Sequence, residues 1–128
     1  MKSWKKYVAV LGVVSALGLG VNAVEAADWY YVGESASGDQ ISIDNSTVQK
    51  DSDLAVLWVR INEPSGEYYY ERMRLNRHDY TIQTLELQPY YADGTPYAED
   101  EYEYDQTEDT IVPDSVGEEL YQLVWGHR

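Results

Sequence analysis

Polar and apolar residues alternate with a period of two through most of the chain, the pattern of half-buried strands. Gln40-Ile41-Ser42-Ile43-Asp44 is one such run. From Leu54 to Ile61 the pattern is stronger: Ala55, Leu57, Val59 and Ile61 form one apolar face, and Leu54, Val56 and Trp58 make the opposite face apolar at its start. Two apolar faces predict a central strand covered on both sides over that stretch. Pro64-Ser65-Gly66 supplies a turn, and Tyr68 to Asn76 returns as the partner strand, with Met73 and Leu75 on a common face. After the short connection Arg77-His78-Asp79, an extended run from Tyr80 to Tyr91 changes phase, because Tyr80 and Ile82 are even whereas Leu85 and Leu87 are odd. One extra residue near Gln83-Thr84 corrects the register and predicts a β-bulge there. Pro89 has no N–H for a ladder, which places that end at an edge or a break.

Asp93-Gly94 is a hairpin turn signal. From Tyr97 to Asp105 another extended run alternates Tyr102 and Tyr104 with acids, and Trp29-Tyr30-Tyr31-Val32 opens the sheet. The tail then switches period. Ser115-Val116-Gly117-Glu118 fits a capping box, Val116, Leu120, Leu123 and Val124 fall at helical spacing, Pro113 precedes the start and Gly126 marks the stop. The sum is an α+β fold: a single antiparallel β-sheet of about six strands in a meander, with a C-terminal α-helix packed on one face.

The first 26 residues have a different composition. Lys2, Lys5 and Lys6 form a basic start, residues 8–21 are apolar, and Val24-Glu25-Ala26 offers a cleavage site, so 1–26 is expected to be a signal peptide and 27–128 the single mature domain. A retained anchor is the competing reading, but Gly12, Ser15, Gly18, Gly20 and Asn22 dilute a stretch that is marginal for a span of about 20 residues. Cleavage removes three Lys and one Glu, leaving 102 residues with 6 basic and 22 acidic groups, a formal charge of −16. Such a charge opposes phosphate backbones, so no nucleic-acid partner is expected, and no membrane span after cleavage. Zero cysteines exclude disulfides, thiolate metal sites and cysteine nucleophiles.

No catalytic constellation is legible, and the domain is expected to be no enzyme, with no cofactor and no metal. The two histidines are His78, in a connection beside Asp79, and the penultimate His127. Triad partners meet in space rather than in sequence, so a His-Asp neighbour pair indicates a solvated turn. Glu99-Asp100-Glu101, Glu103, Asp105, Glu108 and Asp109 form a charge run without the Asp-x-Asp-x-Asp-Gly spacing of a calcium loop. A carboxylate-dependent hydrolase would require two acids facing one cleft. Tyr68, Tyr70, Arg72 and Arg74 share one face of a strand and are the candidate protein-contact residues. The competing reading pairs Arg72 and Arg74 across strands with acids such as Glu101 or Glu103. Thirteen Tyr and no Phe in the whole chain imply that many hydroxyls reach water.

The order of these blocks resembles the bacterial surface-adhesin protein E family: Trp29-Tyr30-Tyr31, Ile41-Ser42-Ile43-Asp44, Val56-Leu57-Trp58-Val59, Arg74-Leu75-Asn76, Tyr90-Tyr91-Ala92-Asp93-Gly94, and Ile111-Val112-Pro113-Asp114-Ser115 leading into Glu119-Leu120-Tyr121. The resemblance covers Asp28 to Val124. It implies an antiparallel sheet with a C-terminal helix, export to the periplasm or cell surface of a Gram-negative-type bacterium, and no catalysis. The family's named member is a host-matrix adhesin that binds vitronectin and laminin and can dimerise. A protein partner from the host extracellular matrix or the cell envelope is therefore expected, and a homodimer is among the expected states. The alternative is a periplasmic structural or inhibitor-like protein without an adhesive role. Members commonly carry one cysteine after the return strand and another at the end of the helix. Here Arg77 and Trp125 hold those places, so the helix must dock by packing, with Trp125 as its anchor.

Overall fold

The computed structural model describes residues 27–126 together with the backbone of 2–4. The expected leader, apart from that backbone, and His127 lie outside the described residues. The strands are β1 (Lys2–Trp4), β2 (Trp29–Glu34), β3 (Gln40–Asp44), β4 (Gln49–Lys50), β5 (Leu54–Asn62), β6 (Tyr68–Asn76), β7 (Thr81–Tyr90), β8 (Tyr102–Tyr104) and β9 (Glu108–Thr110), followed by the helix α1 (Val116–Trp125). The main sheet is an antiparallel meander in the order β2-β3-β5-β6-β7-β9, with β4 pairing the start of β5. β1 and β8 form a separate two-stranded parallel pair.

β5 and β6 are the sheet's spine, paired without a break from Leu54↔Asn76 to Asn62↔Tyr68. Ala55, Leu57, Val59 and Ile61 are all buried, as the alternation requires, and Tyr69, Met73 and Leu75 lie beside them. Each fully buried Leu, Val or Ile side chain among them contributes roughly 1.5–3 kcal/mol. The opposite face of β5 departs from expectation. Leu54 is exposed, and Val56 and Trp58 are half-buried. The cross-strand neighbours of Val56 and Trp58 on β6 are arginines, Arg74 and Arg72, whose stems cover apolar surface while the head groups reach water.

β7 carries the expected bulge, directly after the Gln83-Thr84 pair near which it was predicted. Arg72 pairs Glu86 and Met73 pairs Thr84, so Leu85 is the inserted residue. Thr84 is buried ahead of it and Leu87 after it, which is the change of phase. Pro89 lies opposite Tyr69, and its carbonyl accepts from Tyr97 N–H (3.0 Å) on the side away from β6. In an antiparallel ladder a residue's N and O point the same way, so the missing N–H faces the edge and costs the β6 pairing nothing.

The segment after the Asp93-Gly94 turn is the main correction to the strand assignment. Residues 97–105 do not form a strand of the main sheet. Glu99–Glu101 is a 3-10 turn, and Tyr102–Tyr104 is short and set apart, with the Tyr102 hydroxyl reaching Leu87 O (3.0 Å). The sixth place in the meander goes to β9, which pairs Thr81–Gln83 of β7.

α1 spans ten residues, with Ser115 as its N-cap and Gly126, whose φ of 88° suits a glycine there, as its C-cap. The Ser115 hydroxyl accepts from Glu118 N–H (3.2 Å), while the Glu118 carboxylate accepts from Asp114 N–H (2.8 Å) rather than from the cap residue itself. Leu120, Tyr121 and Val124 are buried in the same cluster as the β5 and β6 side chains. Leu123, expected in that stripe, is 42% exposed; Tyr121 takes its place, edge-on to Tyr80 at 5.0 Å.

Three polar ties hold the helix to the sheet. Tyr80 Oη donates to Glu118 (3.0 Å), Lys50 Nζ donates to Val124 O (2.6 Å), and Trp125 Nε1 donates to Asp51 O (2.9 Å). No basic residue stands in the helix's own last turn, so Lys50 supplies from β4 the cation that a helix C-terminus favours. Arg77 stacks over the Trp125 ring at 5.7 Å. The two positions expected to lack a covalent clip are therefore neighbours, held by a cation–π contact.

Candidate functional site: the sheet face turned away from the helix

Alternate residues of a strand share a face, and on β6 the residues that point away from α1 are Tyr68, Tyr70, Arg72 and Arg74. The four predicted contact residues are brought together as expected. The pairing register adds neighbours that the sequence alone could not place. From β5 come Arg60 opposite Tyr70, Trp58 opposite Arg72 and Val56 opposite Arg74. From β7 come Tyr90 opposite Tyr68, Glu86 opposite Arg72 and Gln83 opposite Arg74.

The aromatic half of this face is tightly ordered. Tyr68 and Tyr90 stack nearly parallel with centroids 4.9 Å apart, and both present their rings edge-on to Tyr70, at 5.9 and 5.6 Å. Trp29 of β2 stacks on Tyr70 at 5.7 Å. Tyr70 is consequently buried to 6% exposure and acts as the floor of the cluster, while Tyr68 and Tyr90 remain half-buried. Burial pushes the phenols of Tyr70 and Tyr90 above their ordinary range, opposed at Tyr70 by the charge of Arg60.

Arginines edge the aromatics. The Arg60 guanidinium sits over Tyr68 at 4.6 Å and Tyr70 at 5.4 Å, and donates to Tyr70 Oη (3.1 Å) and Asn62 Oδ1 (3.1 Å). Arg72 lies over the Trp58 ring at 5.7 Å and forms an ion pair with Glu86 (2.8 Å). Arg74 donates to Gln83 Oε1. The expected partners Glu101 and Glu103 are not used. Cross-strand neighbours one register step away are nearer than acids beyond a turn, and Glu101 instead accepts from Ala98 N–H (2.7 Å) and Tyr91 Oη (2.8 Å). Those bonds hold its carboxyl below the ordinary range, and the same contact pushes Tyr91 up to about 12.

Elsewhere the chemistry is sparse. His78 is exposed and shares a hydrogen bond with Asp79 (3.0 Å), which raises its pKa. Among the described residues no group of three or more His, Asp or Glu is placed to hold a metal ion. A cleft of about 340 Å³ opens beside α1, between Tyr30, Ile43 and Val48 of the sheet side and Leu123 and Val124 of the helix, with Lys50 at its rim. Its lining contains no carboxylate. No helix of the described residues is long and apolar enough to cross a membrane. No protein-family model matches the chain, and no curated protein or solved structure matches it significantly.

Proposed function

We propose that the chain is an exported, non-enzymatic domain of the protein E type that binds a protein partner through the sheet face turned away from α1. The observation that carries this reading is the array of Trp58, Tyr68 and Tyr90 edged by Arg60 and Arg72 on the rigid β5–β7 ladder. Tyr, Trp and Arg are the residues most often found at interface hot spots, and a floor locked by stacking loses little side-chain entropy when a partner lands on it. The family resemblance is supported by the adjacency of Arg77 and Trp125, the two positions where members commonly carry cysteines.

The test is retention of matrix and envelope proteins by the immobilised protein, read by mass spectrometry. Wild type is expected to retain a partner with micromolar or tighter affinity, and Tyr68→Ser is expected to lose at least tenfold while keeping the wild-type melting temperature within a few degrees. Undiminished retention by Tyr68→Ser and Arg72→Gln would remove this face from consideration.

A further inference from the structure

Arg60, Arg72 and Arg74 are half of the six basic residues downstream of residue 26, gathered on one face of a chain whose formal charge is −14. They stand in three successive rows of the β5–β6 ladder: Val56↔Arg74, Trp58↔Arg72 and Arg60↔Tyr70. Same-face rows are about 7 Å apart, twice the rise of a strand. Among the described residues only Arg72 of the three has a carboxylate partner, Glu86, and that pair is exposed on both sides at 39% and 55%. Arg60 and Arg74 bond neutral oxygens, and among the described residues no carboxylate lies within ion-pairing distance of either. In so acidic a chain, two arginines held by neutral partners are a local positive stripe beside an aromatic ledge.

From this spacing we infer that the face takes an extended acidic segment of another protein, with carboxylates at alternate positions i, i+2 and i+4 and apolar or aromatic side chains near them. The inference rests on the proposed protein-binding role of the same face and adds the chemistry of the partner. Alternate side chains of an extended peptide repeat at the same interval of about 7 Å as these rows, so successive carboxylates can reach Arg74, Arg72 and, one strand over, Arg60. At 0.15 M salt the Debye length is about 8 Å, which screens the distant acids of this chain while leaving direct pairs intact. The chain's own Glu101, Glu103 and Asp105 have the required spacing, but Glu101 already holds Ala98 N–H and Tyr91 Oη, and Asp105 holds Thr107 N–H (2.8 Å). Those bonds, with the 3-10 turn at Glu99–Glu101, tie that segment to its own chain in a non-extended shape, so the occupant is a different protein.

Fluorescence anisotropy of a labelled peptide of alternating Glu and Tyr (three Glu), added to the full protein at 0.15 M salt, tests this. A peptide with Gln at the three Glu positions is expected to bind at least tenfold more weakly. Arg60→Gln and Arg74→Gln should each weaken the Glu peptide three- to tenfold and leave the Gln peptide unchanged. Their melting temperatures serve as the folding control. Equal binding of the Glu and Gln peptides, indifference to both substitutions, preferential capture of heparin, or self-association of the protein with the same arginine dependence each overturns the inference. If Glu preference is absent while partner retention still depends on Tyr68, the acidic-segment inference falls and the proposed function stands. If both are absent, both fall.

Discussion

Glu71 stands on the helix-side face of β6, between Val59 and Leu87 on the neighbouring strands, fully buried and with neither carboxylate oxygen hydrogen-bonded. Burial alone drives its pKa well above the ordinary 4.5, which favours the neutral acid in the folded chain. The sign of the linkage follows. Above about pH 4.5 the unfolded chain releases a proton that the folded chain keeps, and stability falls as pH rises toward the elevated folded value. Glu71→Gln, neutral and of similar shape, should remove that slope. Melting temperatures measured from pH 5 to 8 should decline in the wild type and stay flatter in the variant. A parallel decline in both proteins would mean that Glu71 is ionised or hydrated in the fold. Exposed Asp51 and Asp93 and half-buried Glu101 have lowered pKa values from backbone or side-chain hydrogen bonds and act in the opposite direction on the acid side of neutrality.

At the scale of the element, α1 is fixed at its ends as much as along its stripe. Trp125 donates its indole N–H to Asp51 O, meets Tyr121 edge-on at 5.2 Å and lies under Arg77. Trp125→Ala is expected to cost about 2–3 kcal/mol, below the range for a fully buried Trp because the ring is half-exposed. Leu123→Ala, at a position expected from helical spacing to be core but found exposed, should cost under about 0.5 kcal/mol. Chemical denaturation of the two variants reads the difference directly, and equal losses would show that α1 sits in another rotation. The reason spacing misassigned Leu123 is that Tyr121, amphipathic and absent from an aliphatic stripe, fills the gap against Tyr80. The reason it missed β9 is similar: Glu108, Asp109 and Thr110 are all exposed, so no alternation marks them, and backbone pairing to Thr81–Gln83 alone makes the strand. The bulge was legible as a phase change to within a residue of its place, Leu85, with the polar Thr84 on the buried side just ahead of it.

Over the whole molecule, the two faces of one sheet have opposite characters. The β5 alternation made the core face readable, and it is closed by Leu120, Tyr121 and Val124 of α1. The same arithmetic on β6 placed Tyr68, Tyr70, Arg72 and Arg74 together. What it could not supply was register. That Arg60 comes beside Tyr70, Trp58 beside Arg72 and Tyr90 beside Tyr68 depends on which residues face each other across two turns and a bulge, and the outer face of β5 therefore read as a second buried layer. The arginine–aromatic stripe exists only once that register is known.

Trp29, Trp58 and Trp125 report both faces at once, since Trp29 and Trp58 belong to the outer face and Trp125 to the helix side. The most direct measurement is a ¹H–¹⁵N correlation titration of the protein with the Glu–Tyr peptide, following the indole N–H signals. The account predicts that Trp58 and Trp29 shift together with the amides of β5, β6 and β7, while Trp125 stays still. Shifts centred on Trp125 and α1, or no shift at a large excess of peptide, would contradict it.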